Sequence, residues 1–184
     1  MNLAARRSNP GFTLVELLIV IAVLAIGLTI AVPSFQEIIK RNQIAAQNNE
    51  LIALVHLARN EAIRRNPVGD EYVLLELRNV DGTSGWTGAV YPPGDVETAE
   101  GCPTGAIRCA TQTRGEFSGG DMEKIEIRFD NRGYSVDSAS NLAPPVELTL
   151  SHVRCTSERH VREVTISRTG QVSSAQRSAG EGCP

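Results

Sequence analysis

An apolar run from Phe12 to Phe35, FTLVELLIVIAVLAIGLTIAVPSF, limits the folds open to this chain more than any other feature. Its roughly 24 residues make a helix of about 36 Å, enough to cross a hydrocarbon layer of about 30 Å. From Leu17 to Gln36 there is no charged residue. A secretory signal is the competing reading, with Thr29-Ile30-Ala31 as an imitation cleavage site, but signal cores usually run only about 7 to 15 residues. Glu16 argues against a disposable signal. An ionisable group in a membrane costs on the order of 2.5 to 3.5 kcal/mol at mid-depth, less near an interface, and by default marks a function that requires a partner. Arg6 and Arg7 precede the run with no acid before Gly11, which favours a cytoplasmic N-terminus, although Lys40 and Arg41 on the far side weaken that bias.

Gly11-Phe12-Thr13-Leu14-Val15-Glu16, after a short basic leader and before an apolar helix containing Pro33, resembles the class III signal of type IV pilins and type II secretion pseudopilins. The resemblance implies cleavage between Gly11 and Phe12 by a prepilin peptidase, and N-methylation of Phe12 by a methyltransferase. It also implies a role for Glu16 in filament assembly, paired with the N-terminal amine of an adjacent subunit.

Pro33 lacks an amide donor, so a kink or local melting is expected from Gly27 to Pro33. Beyond it no Gly or Pro occurs until Asn66-Pro67, and Leu51, Leu54, Val55, Ala58 and Ala62 recur at helical spacing, marking one apolar face. After Val68 the period changes. Tyr72 to Val80, Lys124 to Phe129, Val146 to Leu150 and Arg162 to Ser167 read as short strands. They are separated by turn signals such as Asp81-Gly82, Asn131-Arg132-Gly133 and Thr169-Gly170. The expected fold is α+β and pilin-like: a long, kinked N-terminal helix, half membrane-spanning and half amphipathic, packed on one or two antiparallel sheets. Asp81 to Asp121 is expected to form loops, with an extra hairpin as an option. The corresponding division is a leader over 1–11, a membrane or filament-core helix over 12–35, its amphipathic half over 36–66, and a periplasmic β domain over 67–184.

Cys102, Cys109, Cys155 and Cys183 allow three pairings. None forms a Cys-x-x-Cys pair and no histidine spacing suggests zinc, so no metal site is expected; export beyond the inner membrane favours disulfides. The preferred pairing is Cys102 with Cys109 as a loop clasp and Cys155 with Cys183 as a bridge that ties down the Ser- and Gly-rich tail. The longer loop would stabilise by roughly 3 to 4 kcal/mol.

The stretch from Arg41-Asn42-Gln43 to Arg59-Asn60-Glu61-Ala62-Ile63 resembles the FimT/FimU/GspH family of minor pilins and pseudopilins, as do the strand-turn units Ile127 to Gly133 and Val164 to Val172. The resemblance implies other minor and major pilins as partners, and residence in the inner membrane, then at the pilus tip. Within the family three roles compete: a minor pilin of the pilus-priming complex, a minor pseudopilin of type II secretion, and a DNA-binding pilin for natural transformation. Arg59 and Glu61 read most simply as solvated helix charges.

Charge bears on the third role. The leader holds two of the 18 basic residues and none of the 21 acids, so its removal takes the net charge from -3 to -5 and disfavours steering toward DNA. The DNA-binding members carry Gly-Arg-x-Arg where this chain reads Gly170-Gln171-Val172-Ser173. Arg154, Arg162, Arg168 and Arg177 remain as a weak substitute DNA contact. With 4 Phe, 3 Tyr and 1 Trp, platforms for stacking single-stranded bases are scarce. No nucleophile elbow, phosphate loop or metal pair appears, and His56, His152 and His160 have no spacing that makes a base with an orienting partner, so neither enzyme activity nor a cofactor is expected.

Overall fold

The computed structural model describes residues 11–80, 85–94, 102, 104–118, 124–178 and 182–184. One helix, α1 (Leu14–Arg65), runs without a break through Pro33, so the expected melting between Gly27 and Pro33 does not occur. The chain divides into two compact units, Met1–Ile39 and Lys40–Pro184.

In the first unit every described residue from Gly11 to Gln36 is exposed. Thr13 starts the helix: its Oγ1 accepts from the Glu16 amide at 3.2 Å, and its carbonyl accepts from the Leu17 amide at 3.1 Å. That hydroxyl satisfies one of the amides that a helix N-terminus leaves without a partner.

In the second unit the remainder of α1 lies against two antiparallel sheets. The first contains β1 (Val73–Asn79), β2 (Gly85–Tyr91), β3 (Arg108–Thr113), β5 (Ile125–Phe129) and β6 (Ser135–Val136), in the order β3-β2-β1-β5-β6. The second contains β4 (Gly115–Ser118), β7 (Val146–His152), β8 (Val161–Ile166) and β9 (Val172–Gln176), in the order β4-β7-β8-β9. Leu51, Leu54, Val55, Ala58 and Ala62 are all fully buried, facing Val73, Leu75 and Leu77 of the first sheet and Leu148, Leu150, Val164 and Ile166 of the second. The helix ends at Asn66, which takes a left-handed φ of 50° before Pro67; there the proline ring forbids continuation.

The stretch expected as loops instead supplies β2, β3 and β4. β2 is buried along its whole length, so it lacks the alternation that marks a half-exposed strand. Its inner face meets α1, while Ala89 and Tyr91 join Leu74 in a small second cluster on the outer face, with Tyr72, Ala106 and Cys109 packed against it. Gly88 is required by packing: a Cβ there would stand 2.5 Å from Leu54 Cδ1 and 3.1 Å from Leu77 Cδ2. Between β3 and β4 the chain crosses from one sheet to the other at Arg114, whose φ of 71° is left-handed and costs a non-glycine residue roughly 1 kcal/mol.

Two polar contacts tie the helix to the first sheet and the first sheet to the second. Gln47, buried in α1, accepts from Trp86 Nε1 of β2 at 3.0 Å and donates to the Thr113 carbonyl of β3 at 2.8 Å. Asn79 of β1 donates to the Phe117 carbonyl of β4 at 2.9 Å and accepts from the Phe117 amide at 3.0 Å. The Trp86 and Phe117 rings, one from each sheet, lie 5.1 Å apart.

Candidate functional site

The feature that most demands an explanation is the surface of the first unit. Phe12, Leu14, Ile26 and Ile30 are 80%, 74%, 67% and 74% exposed, and Val15, Leu17, Val23, Leu24 and Leu28 are also open. Scattered apolar residues on a surface are ordinary, but a continuous cylinder of them is not stable in water and requires lipid or other helices around it. The helix has the length and composition to cross a membrane. Glu16 is the one carboxylate in this surface, exposed in the first helical turn, where the positive end of the helix dipole favours it. Thr13 and Glu16 together have the spacing of a capping box, a structural role that the sequence reading did not weigh. Gly11 and Phe12 precede the helix, exposed and outside any regular element; the basic leader lies outside the described residues.

The four cysteines are bonded as Cys102 to Cys109 and Cys155 to Cys183, with Cα atoms 5.5 Å and 5.9 Å apart. The first bridge joins the segment before β3 to β3 itself. The second attaches the segment after β7 to the end of the chain.

The four arginines considered for DNA do not converge. Arg162 and Arg168 stand at opposite ends of β8, about 20 Å apart at strand rise, and Arg168 lies on the exposed turn into β9. Arg177 pairs with Glu163 at 3.4 Å. Arg162 is half-buried, and its guanidinium is held below its ordinary range first by that burial and then by Arg41. Arg154 is exposed beyond the end of β7. Where the motif Gly-Arg-x-Arg would lie, Gly170 is buried at a φ of 70°, and a Cβ on it would overlap the Gly133 carbonyl oxygen, while Gln171 and Ser173, in the places of the two arginines, are exposed.

Arg59 is where the solvated reading fails. Its Nε donates to the Gly133 carbonyl at 3.2 Å, and the glycine turns after β5 and β8 both close on its side chain, so that a Cβ on either glycine would stand 2.9 Å from an Arg59 carbon. Beside it the Ser135 amide donates to the Arg168 carbonyl at 2.9 Å, linking the first sheet to the turn of the second. The three segments that carried the family resemblance therefore meet at one point. Periodicity had no means to show this, because an arginine stem under two turns has the same helical spacing as a solvated one. Glu61, by contrast, remains at the helix end, where Arg64 and then Arg65 lower its carboxyl to about 2.

His56 is exposed, but His152 and His160 are 3% and 0% exposed, with ring centroids 6.3 Å apart. His152 Nδ1 accepts from the Arg154 amide at 2.9 Å, which leaves Nε2 to donate to Gln43 Oε1 at 2.9 Å. Burial first, and then the charges of His160, Lys40, Arg114 and Arg154, push the His152 imidazole below its ordinary range, and its bond to Gln43 links β7 to α1.

The prokaryotic N-terminal methylation motif matches residues 6–32, and the family described as type II transport protein GspH matches residues 47–170. Two crystal forms of the type IV minor pilin FimU from Pseudomonas aeruginosa (strain PAO1) are similar at low identity. One shares 15% of residues at a TM-score of 0.47, over 74% of this chain and 96% of that one. The other shares 18% at 0.48, over 78% of this chain and 97% of that one. No curated protein sequence matches significantly.

Proposed function

The chain belongs to the type II transport protein GspH family, and from that premise we propose that it is a minor type IV pilin of the FimU/FimT kind, which joins the priming complex at the pilus tip and promotes pilus assembly. The observation that carries this reading is the exposed apolar helix with a single carboxylate in its first turn, joined to a small domain with a closed core of its own. Members of this family are structural subunits, and the methylation motif implies processing by prepilin peptidase and contact with other pilins.

On this reading residues 1–11 are removed, 12–35 reside first in the inner membrane and then in the filament core, 36–66 continue the helix into the periplasm, and 67–184 form the β domain. Phe12 becomes the methylated N-terminus, and Glu16 accepts the amine of a neighbouring subunit. The two disulfides and Pro33 favour the pilus branch over a minor pseudopilin of type II secretion, the reading that the family description favours. A DNA-binding role has less support, because the exposed Gln171 and Ser173 stand where Gly-Arg-x-Arg has its arginines and the candidate arginines are dispersed.

Replacing Glu16 tests the reading. Glu16→Gln retains a side chain able to complete the capping box but removes the charge, whereas Glu16→Val removes both. Both variants are expected in the membrane fraction at normal levels, with both depleted from sheared pili or from the co-purified priming complex. Normal incorporation of Glu16→Gln would show that the charge has no part in assembly.

A further inference from the structure

Half of the fourteen arginines in the second unit are matched with acids: Arg64 and Arg65 with Glu61, Arg78 with Glu76, Arg108 with Glu50, Arg128 with Glu126, Arg132 with Asp130, and Arg177 with Glu163. Arg41, Arg114, Arg154, Arg159 and Arg168 depart from this. All five are exposed, and among the described residues none makes a side-chain hydrogen bond or ion pair.

Of these, Arg114 and Arg154 are brought together around His152 with Lys40, and Arg41 follows Lys40 along the helix with its charge near Arg162. The Val153 amide donates to the Arg114 carbonyl at 3.2 Å, at the end of the β4–β7 ladder where Gly115 faces His152, so Arg114 and Arg154 flank one ladder end. From the helix side, Gln43 holds His152, and Lys40 Nζ donates to Thr156 Oγ1 at 3.3 Å, two residues beyond Arg154. The acids in the same stretches are Glu37, which already has a contact of its own, Glu116 and Glu158. The residues from Asn66 to Leu150, by contrast, carry 14 acids against 6 bases.

Arg114 supplies a second, independent observation. It occupies the left-handed corner between β3 and β4, where glycine would be free of strain, and its guanidinium makes no hydrogen bond or ion pair among the described residues. A strained backbone position that carries an unmatched charge points to a ligand outside the domain.

We propose that Lys40, Arg41, Arg114 and Arg154 form a binding site for the phosphate of an anionic phospholipid headgroup. Lys40 and Arg41 follow Phe35 by five and six residues, so chain connectivity keeps them close to whichever bilayer interface the apolar run reaches. Guanidinium groups suit phosphate oxygens through paired N–H donors. A compact cluster fits one headgroup, whereas a duplex offers a line of phosphates that would need Arg168 and Arg177 as well. Each basic residue near an anionic surface changes binding by about fivefold. The proposal rests on Phe12 to Phe35 being a membrane span, and recovery of the chain in the membrane fraction reads that premise separately.

The test is native mass spectrometry of the full chain in detergent, titrated with phosphatidylglycerol and, in parallel, with phosphatidylcholine. The wild-type chain should retain phosphatidylglycerol at least tenfold more strongly. Arg41→Gln, Arg114→Gly and Arg154→Gln should each lose about fivefold, and the triple variant should bind both lipids equally, while Arg159→Gln and Arg168→Gln leave the preference intact. Arg114→Gly serves as its own folding control, since it should match or exceed the wild-type melting temperature while losing lipid. A triple variant that keeps the preference would overturn the proposal. So would a 20-base-pair duplex that displaces the lipid and loses affinity in Arg168→Gln, which would make the surface a nucleic-acid contact.

Discussion

Alanine at Gly170 measures the contact that joins the helix to both sheets, because Gly69 offers a matched control. The two glycines share nearly the same backbone, with φ of 70° and 68°, so an alanine at either bears the same left-handed penalty of about 1 kcal/mol. Their surroundings differ. At Gly69 an added Cβ meets nothing within 4 Å, whereas at Gly170 it overlaps the Gly133 carbonyl oxygen and stands 2.9 Å from Arg59 Cδ. A backbone carbonyl cannot rotate aside as a side chain does, so the two turns must separate. With them go the Arg59 bond to Gly133 and the Ser135 bond to Arg168, one charged and one neutral, which are together worth about 2 to 4 kcal/mol. Gly170→Ala should therefore cost about 3 to 5 kcal/mol and Gly69→Ala about 1 kcal/mol. For a chain of this size, that difference is roughly 4 to 16 °C in Tm. Trp86, the single tryptophan, is fully buried between Gln47 and Phe117, so its fluorescence during heating of the full chain in micelles reports the second unit alone. Equal shifts for the two alanines would refute the contact at Gly170 as the source of the loss.

Three further expectations follow from other parts of the molecule. The mature protein extracted from membranes should begin at a methylated Phe12 by intact mass; a terminus at Val32 would instead indicate simple secretion. His152 has its folded pKa below its unfolded value near 6.5, so its contribution to stability is complete above that pH and is lost as pH falls from there toward the folded value. The urea midpoint should therefore slope upward between pH 5 and 7, and an unchanged slope in His152→Gln would remove the imidazole from the account. A fragment beginning at Gln36 should be soluble and folded, because the buried positions of α1 begin at Ile44, and reductant should lower its Tm through the Cys155–Cys183 bridge; a reduced midpoint equal to the oxidised one would contradict that.

The amphipathic half of the helix and most of β5, β7 and β8 were legible in the sequence because each buries one face more than the other, while β1, buried from Val73 to Leu77, was legible as a short apolar run bounded by turn signals. β2 was not, since both its faces are covered and its two glycines, Gly85 and Gly88, imitate loop punctuation. Gly88 is there because Leu54 fills the space its side chain would take, a fact about α1 that no window on β2 contains. Arg59 fails for the same reason: what distinguishes it is the pair of turns above it, about 70 and 110 residues later in the chain. On the proposed reading Gly11, Phe12 and Glu16 act as a linear segment, with a peptidase and a membrane as readers rather than a folded core, so a short window of sequence is enough to propose their roles.

The same distinction bears on what drives assembly. A lipid bilayer can cover the exposed leucines and isoleucines of the first unit as well as other helices can, so apolar burial alone gives little preference for a filament over the membrane. The carboxylate changes that balance. In lipid Glu16 must remain near an interface, take up a proton, or bear a cost of a few kcal/mol. On the proposed reading, a neighbouring subunit offers its N-terminal amine at the same depth, and two charges that are each costly in hydrocarbon neutralise one another there. Methylation leaves that amine able to carry its positive charge, so processing and pairing are compatible. A subunit without the charge would still find lipid and helices equally hospitable, and would therefore stay in the membrane.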